Sequence, residues 1–439
     1  MSSLPRLWRG AAAALAMVLV PVSVHTQSDW TITELGTLGG LFGEAEDIND
    51  VGQVVGSASP AAGSDHAFLW TEATEMTDLG TLGGTFSTAF AVNNLGQVVG
   101  MRTPAVGPST GFLWTEAGGM VDITTLGLPA GSIAGDINDA GQIVGQAPAA
   151  GFSSHAFLWT PGEGVVDLGT LGGANSNARG INELEQVVGT SETVSGAEHA
   201  FLWTAATGMI DLGTLGGANS GASDINELGQ VVGRAELANG VERAFVRTAG
   251  GGMTNLGTLG AADGRSVAQG INDAGEVVGH FLDDAGDEHA FYWTEADGMV
   301  ALPTLTGIES DAFAINNAGR IAGSADIETG DAHAVVWTRT DDPPSAPEEQ
   351  IQDLASTVNE LVTTGTLKPG QANGLVRPLQ NALRSLENGL FGAACAQLAD
   401  FQAEVAGKVA DDALSAAEGD ALMAEAEGIR AAIGCGAGL

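Results

Sequence analysis

One sequence pattern recurs seven times and constrains the fold of this chain more than any other feature. It reads Ile/Val-Asn-x-x-Gly-x-Val-Val-Gly, with small departures in some copies. Successive copies begin 44 to 46 residues apart, and the Asn stands at positions 49, 93, 138, 182, 226, 272 and 316. So regular a spacing indicates a repeat architecture, in which each unit buries its apolar surface against its neighbours.

Each repeat divides into four short strand-like segments, which in the fourth copy are 175–181, 186–190, 199–204 and 209–212. The turn between the first two is a hairpin signature, because Asn begins a type I turn and Gly follows in the left-handed conformation. The fourth copy has Glu185 at the Gly position, which predicts backbone strain. Four strands in about 44 residues is the size of a β-propeller blade.

The two ends of the repeat region complement each other. The seventh copy lacks its fourth strand, and residues 30–36 have the sequence of such a strand. Pairing the two would close a ring and remove exposed sheet edges, which an open β-solenoid, the alternative, would not need. We therefore predict an all-β seven-bladed β-propeller over residues 28–340, with the N-terminal strand closing the last blade and small residues innermost.

Two further motifs mark the repeats. One is Asp-Leu-Gly-Thr-Leu-Gly-Gly, at 78–84, 167–173 and 211–217. The other is His-Ala-Phe-Leu-Trp, and its His residues are His66, His155, His199, His289 and, in a looser copy, His333. Rotational symmetry holds equivalent positions of different blades far apart. We therefore expect a repeated structural hydrogen bond at these His residues rather than a metal or catalytic site.

The three motifs together resemble the bacterial extracellular HAF-repeat family, which is named for its His-Ala-Phe tripeptide. The resemblance covers residues 30–340. It implies a secreted location and assigns no chemistry.

Residues 1–27 have the features of a secretory signal peptide. Arg6 and Arg9 precede an apolar run over 11–20. This run is shorter than the roughly 20 residues that span a bilayer, although a retained N-terminal anchor is the alternative. The sequence thus predicts a secreted, extracellular or periplasmic protein with no transmembrane segment in the mature chain.

The C-terminal part changes from strand to helix periodicity. Residues 341–347, rich in Asp and Pro, are predicted to be a linker, and apolar stripes then predict a small all-α helical bundle over 348–439. Pro378 should kink the second helix or delay its start. Antiparallel packing would bring Cys395 and Cys435 together, so we predict a disulfide. The alternatives are two buried thiols or, less favoured because this part has no His, a metal site.

Three segments of this part, 370–375, 393–398 and 433–435, resemble the FIMAH domain, a small helical domain at the C-termini of secreted bacterial proteins. The resemblance implies a separate disulfide-bonded accessory module and assigns no catalytic residues to it.

The charge of the chain excludes two classes of partner. There are 54 Asp and Glu against 15 Lys and Arg, a formal net charge of −39. Nucleic-acid binding and attachment to anionic lipid both need clustered basic residues, which this chain lacks. Hydrophobic residues still make up 44% of the chain, enough to form a core.

Two groups of acidic residues are candidate sites. The residues that follow the turn Asn should form a ring near the axis on one propeller face, with carboxylates at Asp50, Asp139, Glu183, Glu227 and Asp273. The alternative is a set of solvated turn residues. The second group is a candidate Ca²⁺ site, the one cofactor that the sequence suggests, formed by Asp283, Asp284, Asp287 and Glu288.

The loops between second and third strands, such as 103–110, 190–198 and 234–242, vary most and should lie opposite the acidic ring. The fifth blade departs further, because Arg243 and Arg247 replace the His and Trp of the motif, so it could make an asymmetric contact. Variable loops on a rigid scaffold are typical binding surfaces. We predict a monomeric, non-enzymatic propeller that binds an extracellular protein or glycan through these loops. The alternative is a polysaccharide hydrolase or lyase that uses axial carboxylates.

Overall fold

The computed structural model describes residues 30–340, apart from 249 and 260–263, and residues 347–435 with short gaps at 364–365, 388–389 and 412 and only scattered positions beyond 415. The chain divides into two compact units, residues 1–340 and 341–439. The predicted signal peptide (1–27) and nearly all of the predicted linker (341–347) lie outside the described residues.

The first unit consists of seven four-stranded antiparallel sheets. The strands of its first half are β1 (Trp30–Gly36), β2 (Gly39–Ile48), β3 (Val54–Pro60), β4 (His66–Thr71), β5 (Glu75–Gly80), β6 (Phe86–Val92), β7 (Val98–Thr103), β8 (Thr110–Thr115), β9 (Gly119–Asp122), β10 (Ile133–Ile137), β11 (Ile143–Pro148), β12 (Ser154–Thr160) and β13 (Gly164–Gly169). Those of its second half are β14 (Gly172–Ile181), β15 (Val187–Thr193), β16 (Glu198–Thr204), β17 (Gly208–Asp211), β18 (Gly216–Ile225), β19 (Val231–Leu237), β20 (Glu242–Arg247), β21 (Met253–Gly257), β22 (Ser266–Ile271), β23 (Val277–Leu282), β24 (Glu288–Thr294), β25 (Gly298–Ala301), β26 (Ser310–Ile315), β27 (Ile321–Asp326) and β28 (Ala332–Arg339).

The N-terminal strand closes the ring. The seventh sheet has the order β1-β28-β27-β26, and β1 runs antiparallel to β28 from Trp30 opposite Arg339 to Gly36 opposite Ala334. The Arg339 guanidinium lies 5.3 Å from the ring centroid of Trp30, a cation–π contact across the same closure. The prediction of a seven-bladed propeller closed in this way is confirmed.

The Asn turns have the expected conformation. In the fifth blade the Gly229 N–H donates to the Asn226 carbonyl at 3.0 Å, and Gly229 has φ +70°. Glu185, the residue that replaces this Gly in the fourth blade, has φ +56°. The strain predicted there follows, because a side chain crowds the left-handed conformation.

The apolar core lies between neighbouring blades. Ala200 and Phe201 on β16 are both fully buried, but they pack in different clusters because successive strand residues point to opposite faces. Phe201 shares a cluster with Val144 of the third blade, whereas Ala200 shares one with Ala222 of the fifth. Each blade is thus sandwiched between two others, as its sequence predicts.

Every innermost strand contains a β-bulge three residues before its turn Asn. In β2 the register against β3 shifts between Ala45 and Asp47, so Glu46 is the extra residue, and the other six blades shift at the same place. Two residues of a bulged strand oppose one on its partner. As a result two consecutive side chains, Glu46 and Asp47 in the first blade, both line the space along the propeller axis.

The second unit is helical. It contains α1 (Pro347–Thr363), α2 (Pro369–Glu387) and α3 (Phe391–Ala410), and described positions between 422 and 433 are helical too. Pro378 lies inside α2 and does not delay its start. The core of this unit includes the fully buried side chains of Leu354, Leu379 and Phe401.

Cys395 in α3 forms a disulfide with Cys435, with the two Cα atoms 5.6 Å apart. The predicted pairing is confirmed. Among the described helices, none has the length and apolar character that crossing a membrane requires.

Candidate functional site

The seven Asn turns meet around the axis on one side of the propeller, here called the turn face. The Nδ2 of each turn Asn donates a hydrogen bond to the backbone carbonyl of the turn Asn in the next blade. The bond from Asn49 to Asn93 measures 2.9 Å, and the bond from Asn316 back to Asn49 measures 3.0 Å. All seven bonds are present, so this ring is closed.

The residues that follow the turn Asn form a second closed ring. Each side-chain oxygen accepts a hydrogen bond from the backbone N–H of the equivalent residue in the preceding blade, for example from Asp139 to Glu183 at 2.6 Å. Seven such bonds complete the circle. The five predicted carboxylates therefore do surround the axial mouth: Asp50, Asp139, Glu183, Glu227 and Asp273. They also help to join the blades, which the sequence did not indicate.

The negative charge of this second ring is only partly relieved. Two of its seven members are amides, and one of these, Asn317, donates to Asp50 at 3.1 Å and to Asp273 at 3.0 Å. On the opposite side four consecutive members are acidic. Burial, followed by the charges of Asp273 and Glu183, raises the pKa of Glu227.

Three further carboxylates lie deeper along the axis, where they bridge pairs of blades. They are Asp47, Asp136 and Asp224, each two residues before a turn Asn. Asp47 accepts from Ile48 at 2.8 Å and, in the second blade, from Val92 at 2.8 Å. Burial raises the pKa of Asp47 to about 7 and that of Asp224 to about 6. These residues are not among the predicted site residues, and their signal in the sequence is an Asp that alternates with Ala or Gly at this position.

The bulge residues form the next layer and break the sevenfold repetition. The motif around them, Ala-x-(Asp/Gly/Ala)-(Ile/Val)-Asn, is nearly constant, but the residue x differs from blade to blade: Glu46, Phe90, Gly135, Arg179, Ser223, Gln269 and Phe313. All seven line one cavity of about 400 Å³ on the axis, here called the axial cavity. This cavity is not among the predicted sites, although a variable residue inside a constant motif is the sequence feature that indicates it.

The motif His residues bond within their own blades, and His333 bonds across the ring closure. His199 Nδ1 lies 2.8 Å from the carboxylate of Asp211, which belongs to the Asp-Leu-Gly-Thr-Leu-Gly-Gly motif. The equivalent pairs are His66–Asp78 and His155–Asp167 at 2.9 Å, His333–Glu34 at 2.6 Å and, with a different acid, His289–Asp283 at 3.3 Å. Each His thus has a local acidic partner, in keeping with the structural role that we expect for it.

The predicted asymmetric contact in the fifth blade is only partly available to a partner molecule. Arg243 is 4% exposed, and its guanidinium donates to the backbone carbonyls of Glu242, at 3.1 Å, and of Gly264. It therefore serves the interior of the blade. Arg247 remains half-buried in β20.

The candidate Ca²⁺ loop uses two of its four carboxylates for other contacts. Asp283 accepts the backbone N–H groups of Ala285, Gly286 and Asp287 at 2.8 to 3.0 Å, and these amides, that of Asp287 foremost, lower its pKa. Glu288 contacts His280 at 3.0 Å. The structure places the remaining two, Asp284 and Asp287, in the turn between β23 and β24.

Among the described residues, one group of three side chains is of the types that ligate metals and is closely spaced: His280, Glu288 and Asp311. One potential ligand atom of each lies within 4.8 Å of those of the other two. His280 is 8% exposed and contacts Glu288 through Nε2 and Asp311 through Nδ1. The imidazole therefore already separates the two carboxylates and pairs with both.

Comparison with known proteins identifies no family. No protein-family model matches the chain, and no curated protein does. Among solved structures, TolB from Acinetobacter baumannii is 12% identical with a TM-score of 0.43, and the match covers 57% of this chain and 63% of TolB. AofleA from Arthrobotrys oligospora is 10% identical with a TM-score of 0.38, over 62% of this chain and 89% of AofleA. Trypanosoma rangeli sialidase in complex with the inhibitor DANA is 8% identical with a TM-score of 0.32, over 71% and 57% of the two chains. Likenesses this distant carry no argument about function.

Proposed function

We propose that this chain is an extracytoplasmic binding protein that recognises an extracellular protein or glycan without catalysis. Its binding surface is the loop face, opposite the turn face, which consists of the loops between second and third strands and of the crossovers between blades. Bridges from Leu171 to Thr193 and from Leu215 to Leu237 hold crossovers beside these loops. The observation that carries the proposal is that the loops of most varied sequence share this one face.

Exposed apolar side chains at the loop tips support contact with a partner. Val106 is 90% exposed and Val194 is 86% exposed, each in a loop that joins a second to a third strand. The turn face also has exposed apolar residues, one in each of four blades, among them Leu95 at 69% and Leu228 at 63%. The two faces must therefore be compared directly in the same binding assay.

The location rests on two observations. The disulfide between Cys395 and Cys435 is typical of an oxidising compartment. The predicted signal peptide over 1–27 agrees with secretion or a periplasmic location.

One observation favours the second candidate function, a polysaccharide hydrolase or lyase. The raised pKa values of Asp47 and Asp224, about 7 and about 6, would let either carboxyl hold a proton near neutral pH, as a general acid must. Both carboxyls, however, already bridge blades through backbone hydrogen bonds.

A glycan array together with a turnover screen on polysaccharides tests both functions. We expect binding without turnover. Val194→Ser on the loop face should weaken the binding, and Leu228→Ser on the turn face, the matched control, should leave it unchanged. Binding lost only in Leu228→Ser would place the surface on the wrong face. Turnover that Asp47→Asn abolishes would replace the binding proposal by the hydrolase.

A further inference from the structure

The axial cavity has an acidic and a basic side chain on different walls. Glu46 comes from the first blade and Arg179 from the fourth, so two blades separate them on one side of the ring and three on the other. Neither side chain has a hydrogen-bond or ion-pair partner among the residues that the structure describes. A carboxyl and a guanidinium held across a cavity without a hydrogen-bond or ion-pair partner form an arrangement that a bound ligand can complete.

Each of the two charges has a different kind of neighbour. The blades on either side of Glu46 contribute the bulge residues Phe90 and Phe313, so aromatic residues line the cavity on both sides of the blade that carries Glu46. A carboxylate beside aromatic faces suits an ammonium group, through an ion pair and cation–π attraction. The blades on either side of Arg179 contribute Gly135 and Ser223, which leave space around the guanidinium. A free guanidinium fork suits a carboxylate.

The enclosure of the cavity agrees with this assignment. Burial, followed by the nearby charges of Glu44 and Asp47, raises the pKa of Glu46 to about 8. Burial and the charge of Arg234 lower the pKa of Arg179. Arg179 lines the axial cavity and keeps solvent-accessible surface there. The charges of Glu46 and Glu198 offset the pKa shift of Arg179 only in part, and the charge of Arg179 offsets that of Glu46 only in part. Near neutral pH the Glu46 carboxyl is therefore mostly protonated in the empty cavity, and an ammonium group bound beside it would favour its ionised form.

The remaining walls limit the ligand to a small, partly apolar molecule. Met101 and Ile133 are apolar, whereas Gln146, Asn177 and Gln269 offer amides for hydrogen bonds. The volume of about 400 Å³ lies at the lower end of small-molecule pockets, which run from roughly 300 to 1,000 Å³.

We propose that the axial cavity binds a zwitterion of the amino-acid class, a free amino acid or a short peptide, with its ammonium group at Glu46 between Phe90 and Phe313 and its carboxylate at Arg179. This site is distinct from the loop face and needs no catalysis. A failed test of either site leaves the other unaffected.

The test uses the full chain and two series of probes. The twenty L-amino acids and their glycyl dipeptides are screened by thermal shift at about 10 mM, enough to stabilise the protein measurably even at a Kd of about 1 mM. The two series distinguish the free amino acid from the peptide as the source. Hits are titrated by calorimetry alongside their N-acetyl and amide derivatives, which remove one charge each.

The variants assign each end of the ligand. Arg179→Gln should weaken binding of the zwitterion by about tenfold or more, the usual loss for a charge-assisted hydrogen bond, but not affect the amide, which has no carboxylate. Glu46→Gln should weaken the zwitterion but not the N-acetyl derivative. Arg320→Gln, outside the cavity, is the control and should bind as the parent does. Because neither Glu46 nor Arg179 has a structural partner, both variants should melt close to the parent.

Two results would overturn the assignment. One is a folded parent chain that shows neither a thermal shift nor heat with any probe. The other is binding to which Arg179→Gln and Glu46→Gln are both indifferent, because the ligand would then lie elsewhere.

Discussion

The closed ring of turn Asn side chains should be a large contributor to propeller stability, and Asn226→Ala tests this directly. The Asn226 side chain takes part in four hydrogen bonds and is 4% exposed. Its Nδ2 donates to Gln230 Oε1 at 2.8 Å and to the Asn272 carbonyl at 2.9 Å. Its Oδ1 accepts from the N–H groups of Leu228 at 3.1 Å and Gln230 at 2.9 Å.

The cost of this substitution can be estimated from the partners that it leaves behind. A typical hydrogen bond contributes about 1 kcal/mol net, and a buried group left unpaired costs about 1–3 kcal/mol. Leu228 is exposed, so its N–H can bond to water, but the Asn272 carbonyl lies at the buried junction of two blades and the Gln230 N–H is half-buried in the turn. We expect a loss of about 3 kcal/mol in the free energy of unfolding.

The matched control is the adjacent residue of the second ring. Glu227→Gln keeps an oxygen for the Glu183 N–H, which now bonds to Glu227 at 2.9 Å, and it removes one of the crowded charges. It should change stability by no more than about 0.5 kcal/mol. Both variants are compared with the parent by urea unfolding followed by circular dichroism at pH 7. If Asn226→Ala costs less than about 1 kcal/mol, the ring is not a major source of stability.

Three further predictions concern other parts of the chain. Glu185→Gly should raise the melting temperature, because relief of the strained φ of +56° should stabilise the fold by about 1 kcal/mol. The hydrogen bond that Gln142 donates to Glu185 is lost and offsets part of this gain. A lower melting temperature would contradict the prediction. Cys435→Ser should destabilise the helical unit by about 4 kcal/mol and leave the melting temperature of the propeller unchanged. Scanning calorimetry can resolve the two unfolding transitions. A single transition that shifts as a whole would refute the independence of the two units. The pKa of Asp47 rises from 3.8 to about 7 on folding, so the folded state binds the proton more tightly, and the free energy of unfolding should fall as pH rises from about 4 to about 7. Asp47→Asn should flatten this slope, by up to about 1.4 kcal/mol per pH unit, and an unchanged slope would show that other groups cause it.

The sequence predicts the propeller scaffold well because every blade repeats the same turn and strand pattern. An Asn turn between a small-residue strand and a Val-rich strand fixes one hairpin, and the repeat places seven of them in order. The closure is equally readable, since the strand that the seventh copy lacks stands at 30–36. Both inferences need only local turn chemistry and the removal of open sheet edges.

The position of the bulge residues on the axis could not be predicted in the same way. In a regular strand the side chains alternate, so Glu46 and Asp47 would point to opposite sides, and only one of them would face the axis. The bulge brings both to the axis, and its position depends on pairing with β3 rather than on any residue of β2. The sequence therefore shows a variable residue at one position of each repeat, but it does not show that the seven side chains share a cavity on the axis.

The sequence indicates where several candidate site residues lie, but it does not indicate which groups they contact. The acidic ring lies where the turn positions predicted, but its bonds run to N–H groups of neighbouring blades about 44 residues away in sequence, which no local pattern shows. Asp283 accepts three backbone N–H groups of its own turn, contacts that a run of acidic residues in the sequence does not reveal. For Arg243, the guanidinium donates to the backbone carbonyl of Gly264, which lies 21 residues away and which no local pattern indicates.

Along the axis, the two rings join the blades and the bulge residues line the axial cavity. The rings use the turn Asn and the residue after it, and every member bonds to the next blade, so a change that removes one of these bonds should cost stability. The bulge residue takes part in neither ring, and the same backbone accepts Gly135 in one blade and Arg179 in the next. Side chains at this one position can therefore differ in size and charge while the ring stays closed, and the chemistry of the axial cavity can be set independently of the fold.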